Sequence, residues 1–328
     1  MLSSRPFDTI ASGDRVDCWT LRNAAIEVEV LTFGARLHSL LAPDRSGDIA
    51  NVVRGPVDLA GRLADLEFPY AGAIVGRWAN RLADGRVMVD GTVHRLAPNE
   101  GSTTLHGGPE SIDRLVWQAE PITDATSPSV RMRLTSPDGD NGFPATLEIT
   151  VTYRLAEPAT LVIEIEATAD APTVANLTTH TYWNLGPDPQ IGSHRLQVPA
   201  DRVVAVDADL LPVDVRPVDG TPFDRRQGPA LGDVLVGVDI DHCLVLDGSP
   251  AAILTDPVSG RRMTIDTDQP AIQVYGGGLL PSRHAAVALE PEIAPDAPNR
   301  PDLDLGPRGL LGPGDVYRHV TTIAVDTI

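Results

Sequence analysis

The chain has 328 residues, 45 of them acidic and 26 basic, for a net charge of −19, a field that repels phosphate backbones and anionic lipid, so nucleic acid and membrane surfaces are excluded as expected partners. All 26 basic residues are arginine, which excludes imine-forming chemistry on a lysine and the lysine of a phosphate-gripping P-loop. Cys18 and Cys243 are too few and too far apart for a disulfide framework or a thiolate metal knuckle, and a reducing compartment is expected.

A chain of this length fits one large all-β unit, and no repeat, charge block or linker divides it, so one domain over residues 1–328 is expected. The 29 glycines and 29 prolines make it turn-rich without low complexity. The opening MLSSRPFDTIASGDRVD has no apolar core of signal-peptide length, and nothing approaches the ~18 uninterrupted apolar residues of a membrane span. A soluble, cytoplasmic protein is expected.

Taken in chain order, period-2 alternation first appears at Ile26, Val28 and Val30 and predicts a strand. A short helical turn is expected near residues 57–64. Asp90-Gly91, Asp138-Gly139 and Ser259-Gly260 supply the positive φ of tight hairpin turns. Alternation returns at Leu147, Ile149, Val151 and Tyr153, at Leu161, Ile163 and Ile165, and near the end at Val320, Ile323 and Val325. An apolar run at 285–289 reads as a strand that leaves the core at Glu290, followed by an ordered proline-rich loop over 291–307. With no convincing helical stripe of a dozen residues, the pattern predicts stacked antiparallel sheets.

Chemistry concentrates in four places. The segment Asn176-Leu177-Thr178-Thr179-His180-Thr181-Tyr182-Trp183-Asn184-Leu185-Gly186 joins a titratable imidazole to aromatic faces and two amides, a combination suited to a sugar site. Gly76-Arg77-Trp78-Ala79-Asn80-Arg81-Leu82 offers an amide and a guanidinium fork, which read hydroxyl groups well. In Thr104-Leu105-His106-Gly107-Gly108 the two glycines permit a close approach beside an imidazole. Asp239 and Glu290 each put a carboxylate at a strand end, where partial burial raises a carboxyl pKa. Each feature alone is compatible with ordinary structure, so the set carries the reading.

That set resembles the aldose 1-epimerase, or galactose mutarotase, family. The likeness runs through Asn51-Val52-Val53, GRWANRL, LHGG, SPDGDNGFPATLEITVTY, NLTTHTYWNLG, GTPFD, Asp239 and LEPEIAPDAPN, in the family's order. It implies a large antiparallel β-sandwich of the galactose mutarotase type with an open sugar cleft. By position it places Glu290 on the general base and His180 on the general acid, with His106 beside them. It places Asn80, Arg81, Asp239 and Gln273 on sugar-binding positions and Trp183 on the aromatic next to the acid. The implied substrate is a free aldohexose, with no cofactor and no metal, acted on by a monomer or homodimer. The chain departs from the family's common pattern at Pro291-Glu292, Ile240-Asp241 and Val213-Asp214, near the pocket but away from the implied acid and base.

Acid/base chemistry fits these residue types. Anomer exchange needs the C1 hydroxyl proton removed and a proton given to the ring oxygen, so one base and one acid suffice. A hexose-6-phosphate epimerase is the nearest alternative, with Arg225-Arg226 and Arg261-Arg262 as phosphate ligands, although paired arginines read as solvated strand edges. A non-catalytic sugar-binding protein would not need both Glu290 and His180. A metal site from His106, His180 and His242 lacks supporting spacing.

Overall fold

Alternation decides the strands. In Leu147–Ala156 the odd-numbered Leu147, Ile149, Val151, Tyr153 and Leu155 are buried while their even-numbered neighbours reach solvent, because successive side chains of a strand point to opposite sides. Thr160–Ala169 pairs with it antiparallel, Val151 opposite Ile165 and Leu155 opposite Leu161, so the apolar faces coincide. A one-residue slip would turn Glu164 toward the core.

The computed structural model describes residues 1–123, 127–235 and 237–328. Its largest sheet has eight strands in the order Gln118–Pro121, Ser129–Ser136, Leu147–Ala156, Thr160–Ala169, Tyr317–Thr327, Arg261–Thr267, Ala252–Thr255 and Arg195–Gln197. A seven-stranded sheet runs Pro212–Pro217, Arg202–Val206, Asp241–Val245, Ala271–Tyr275, Val287–Glu292, Tyr182–Trp183 and Val53–Arg54. An N-terminal meander of five strands spans Leu2–Thr9 to Ile49–Asn51. Pairing among these strands is antiparallel throughout. The fold is the all-β antiparallel sandwich expected from the sequence.

The main core lies between the sheets. Val151, Ile165 and Met263 enter it from the eight-stranded sheet, Trp183, Leu244, Ile272, Val287 and Leu289 from the seven-stranded one, and Val28 and Leu37 from the meander. Each such side chain contributes at most about 1.5–3 kcal/mol by leaving water. Since these residues occupy one face of the seven-stranded sheet, its opposite face is free to hold polar groups.

Local features follow turn and cap chemistry. Asp90 and Gly91, with φ of 47° and 75°, close the two-residue hairpin in which Val89 faces Thr92. Helix Leu59–Ala64 is N-capped by Asp58, whose carboxylate accepts from the Gly61 N–H at 2.8 Å.

Three expectations need correction. Asp138-Gly139 is not a tight hairpin, because Ser136 faces Leu147 and a 3-10 turn, Asp140–Gly142, lies in the long connection. In Tyr317–Thr327 the buried row is His319, Thr321, Ile323 and Val325, so Val320 faces outward, as its parity requires. The last strand of the seven-stranded sheet to be reached along the chain is Val287–Glu292, buried along its length, so Glu290 lies within a strand and not where one leaves the core.

Candidate active site

Register alone assembles half of the site. Within the seven-stranded sheet, Glu290 stands opposite Gln273 and Glu292 opposite Ala271. The next strand puts Cys243 opposite Gln273 and Asp241 opposite Tyr275, while Tyr182 stands opposite Ala288 on the other side. Alternation therefore turns Asp241, Gln273, Tyr275, Tyr182, Glu290 and Glu292 away from the main core.

Two chain segments cross that face and bring the nitrogen groups. His180 follows the short strand Thr178–Thr179, which pairs with Ile74–Val75, and its backbone is held by N–H donation to Ala73 O at 2.9 Å and acceptance from Gly72 N at 2.8 Å. Asn80 and His106 both adopt the left-handed conformation, with φ of 66° and 50°. They bond reciprocally: the His106 N–H donates to Asn80 O, and the Asn80 N–H donates to His106 Nδ1 at 3.1 Å. Because Nδ1 accepts, neutral His106 carries its proton on Nε2, as a donor for a ligand. Gly107 permits this turn, since a Cβ there would collide with the Gly76 carbonyl.

The two segments are tied to the end of the Val287–Glu292 strand from behind. Asn176 Nδ2 donates to Ala79 O and Ile293 O at 3.2 and 3.0 Å, and its Oδ1 accepts from Ile293 N–H at 3.0 Å. Asn184 likewise bonds Asp188 O and Ala285 O. The two amides of the histidine segment are thus structural and do not face a ligand.

The result is an open cleft on this face of the sheet. At its floor His180 Nε2 lies 3.7 Å from Glu290 Oε1. The His106 ring centroid is 5.2 Å from that of His180, and Tyr182 lies 4.9 Å from His180. On one wall Arg81 donates Nε and Nη2 to Glu100 at 2.7 and 3.0 Å and approaches Asp241 Oδ2 at 3.8 Å. Gln273 Nε2 donates to Asp241 Oδ1 at 2.5 Å. Asn80 Nδ2 donates to Glu292 Oε1 at 2.8 Å.

Burial dominates the electrostatics. It pushes the Glu290 carboxyl well above the usual range, and Glu292 and Asp241 push it further. It pushes the His180 imidazole down to about 4 and lowers His106 as well. Both effects disfavour charge in a dry site. A carboxyl group and an imidazole thus oppose one another, ringed by amide, guanidinium and carboxylate groups and by aromatic faces.

Comparison with known proteins agrees with that geometry. Residues 17–324 match the family described as aldose 1-epimerase. The chain belongs to the aldose 1-epimerase family. It is 35% identical to the galactose mutarotase of Rattus norvegicus, with 95% of this chain and 94% of that protein covered. It is 34% identical to the aldose 1-epimerase of Escherichia coli strain K12, covering 92% and 93%. Among solved structures it is similar to the GalM/aldose epimerase homologue from C. elegans, with TM-score 0.86, 29% identity and 99% and 100% coverage. A galactose 1-epimerase from Lactobacillus acidophilus superposes with TM-score 0.87 at 27% identity, covering 100% and 99%. The enzyme class expected from the sequence, an isomerase acting on an aldose, is that of this family.

Within this aldose 1-epimerase the cleft collects Glu290, His180, His106, Asn80, Arg81 and Gln273. Two expected residues lie elsewhere. Asp239 precedes its strand, has a side chain 46% exposed and is paired to Arg283 at 2.9 Å; of the two aspartates it is Asp241 that lines the cleft. The sequence reading took the first of two nearby aspartates, and only the start of the strand Asp241–Val245 separates them. Trp183 is 1% exposed and packs in the main core. Its neighbour Tyr182 faces the cleft, because adjacent strand residues point oppositely.

Sequence reasoning also missed Tyr70, Tyr275, Glu100 and Leu105 in the cleft wall, which carry no local signal of function. The arginines weighed as phosphate ligands are engaged elsewhere. Arg225 and Arg261 are buried rather than solvated, Arg225 donating to Pro222 O and Arg261 to Leu185 O and Asp48 O. Arg226 pairs with Asp201, Asp219 and Asp224, and Arg262 with Asp326. By donor type His106, His180 and Glu290, whose ligand atoms lie within 4.8 Å of one another, are also a set that could ligate a metal ion. His242 instead packs against Phe223, with ring centroids 4.1 Å apart.

Proposed function

We propose that this enzyme interconverts the α and β anomers of free hexoses such as glucose and galactose, with Glu290 as base and His180 as acid. The observation that carries the reading is the 3.7 Å opposition of His180 Nε2 and Glu290 Oε1 in one cleft. Ring opening starts from the ionised pair. Glu290 takes the proton of the C1 hydroxyl, His180 gives its proton to O5, the C1–O5 bond breaks and C1 becomes an aldehyde. Rotation about C1–C2 presents the other carbonyl face, and the two groups reverse roles as the ring closes. Each positioned proton transfer contributes roughly 10² to 10⁴-fold.

Burial makes the ionised pair the minor form of the free site, and ring opening returns the pair to the neutral forms. Opening converts a carboxylate and an imidazolium into a carboxylic acid and a neutral imidazole, the pair of forms that burial prefers. His106 Nε2–H, Arg81, Asp241, Gln273 and the remaining N–H of Asn80 bind and orient the sugar oxygens. Orientation of this kind accounts for much of the advantage of a bound over a free reactant. No cofactor or metal takes part in these steps.

The protein acts on the free monosaccharide as a soluble, cytoplasmic monomer or homodimer, folding as one unit. No helix among the described residues is long and apolar enough to cross a membrane. Polarimetry on freshly dissolved α-D-glucose and α-D-galactose beside the 6-phosphate of glucose tests the substrate class. A higher kcat/KM for the free sugars is expected, and a strong preference for the phosphate ester would contradict it.

A further inference from the structure

Glu292 is a buried carboxyl group of this face that the reaction as described leaves without a task. It is 0% exposed, sits two positions beyond Glu290 on the same strand and therefore projects from the same side of the sheet. Its Oε1 accepts from Asn80 Nδ2 at 2.8 Å, whereas its Oε2 has no partner among the described residues. Glu290, also buried, has His180 Nε2 3.7 Å from its Oε1, and its Oε2 has no hydrogen-bond partner among the described residues. A carboxylate with a donor is easier to ionise than one without.

We propose that Glu292 is a positioning residue for this reaction: buried beside Glu290 on one strand face, it holds the Asn80 amide, and its carboxylate opposes loss of the exchangeable proton from the Glu290–His180 pair. Two carboxyl groups on one dry strand face oppose each other's ionisation, and their protons leave in coupled steps. The groups around them do not cancel this opposition. From the Arg81–Leu82 strand comes the Arg81 guanidinium, already engaged by Glu100 and close to Asp241. From the Asp241–Val245 strand come Asp241, which adds negative charge, and Cys243, whose thiol burial holds neutral. From the Tyr317–Thr327 strand comes Tyr317, a phenol that burial likewise keeps neutral. Facing Glu290 are His180, His106 and Tyr182. Burial raises Glu292 to about 8 and Glu290 well above its ordinary value, with the Glu292 charge among the causes for Glu290.

This inference rests on Glu290 being the base, and its test separates the two ideas. Glu292→Gln keeps an acceptor for Asn80 and removes the ionisable proton. In that variant the alkaline limb of kcat/KM for α-D-galactose moves to lower pH by about one pH unit or more, while the acid limb and KM stay put. A carbon-13 titration of the Glu290 carboxyl, identified by its loss in Glu290→Gln, moves in the same direction and does not depend on activity. An unmoved or raised limb and carboxyl midpoint would overturn the proposal. Should Glu292→Gln fail to fold, the wild-type titration decides: mutually stepped curves for the two carboxyls support the coupling, and two independent single-step curves refute it. If Glu290→Gln stays fully active, the assignment of the base fails, whatever the carboxyl titrations show.

Discussion

His180 and Glu290 face each other across 3.7 Å with side chains 7% and 3% exposed. At that separation each group feels the other's charge without a direct hydrogen bond, and the dry surroundings favour the forms in which neither is charged. A sugar whose C1 hydroxyl and ring oxygen reach these two groups completes a circuit in which charge is consumed as the ring opens. In the proposed mechanism the rest of the cleft holds the sugar in that register.

Asp241 is expected to read a sugar hydroxyl and Asp239 is not. Asp241→Asn should raise KM by roughly 10-fold or more, the worth of a hydrogen bond to a charged group. Asp239→Asn should leave KM within about twofold, because its carboxylate pairs with Arg283 outside the cleft. Steady-state kinetics on α-D-galactose distinguish the two, and the reverse ranking would restore the assignment made from the sequence.

Trp183 should matter for stability and Tyr182 for binding. Trp183→Ala opens a void in the main core and should lower unfolding free energy by about 3–5 kcal/mol. KM measured on the folded fraction should stay unchanged. Tyr182→Ala should weaken sugar binding, since that ring faces the cleft beside His180. Denaturant titration alongside kinetics checks both.

The Glu292 contribution to stability should fall as pH rises from about 4.5 toward 8. Burial raises Glu292 to about 8 from an ordinary 4.5, so its favourable contribution is fully present below the ordinary value and lost as pH climbs through the raised one. The slope is on the order of 1 kcal/mol per pH unit within that window. Glu292→Gln should be more stable than wild type by a margin that widens over the same range. The buried histidines act oppositely: His180 and His194 are lowered by burial to about 4, so they cost stability as pH falls below about 6.5. Urea melts at pH 5, 6.5 and 8 test the signs, and a margin that shrank with rising pH would refute the Glu292 part.

The sequence revealed most about features whose cause is local. Alternation at Leu147–Ala156 and the Asp90-Gly91 turn depend on neighbouring residues alone, and both are found in the structure. The motif set brought Glu290, His180, His106, Asn80, Arg81 and Gln273 to one cleft because strand register and the Asn176 ties bind those segments together. What was not legible depended on parity or on distant packing. Trp183 and Tyr182 differ only in the face they take, Asp239 and Asp241 only in which begins a strand. Arg225 and Arg261 look like surface pairs until the backbone carbonyls that hold them are seen. Glu292 stood out as a departure from the family pattern, but its burial beside Glu290 needed the whole sheet.

The opposed pair is tested most directly by stopped-flow polarimetry of α-D-galactose with wild type, Glu290→Gln and His180→Asn, each checked for native circular dichroism. Both variants are predicted to lose at least about 100-fold in kcat while remaining folded. A folded Glu290→Gln protein that equilibrates the anomers at the wild-type rate would contradict the account.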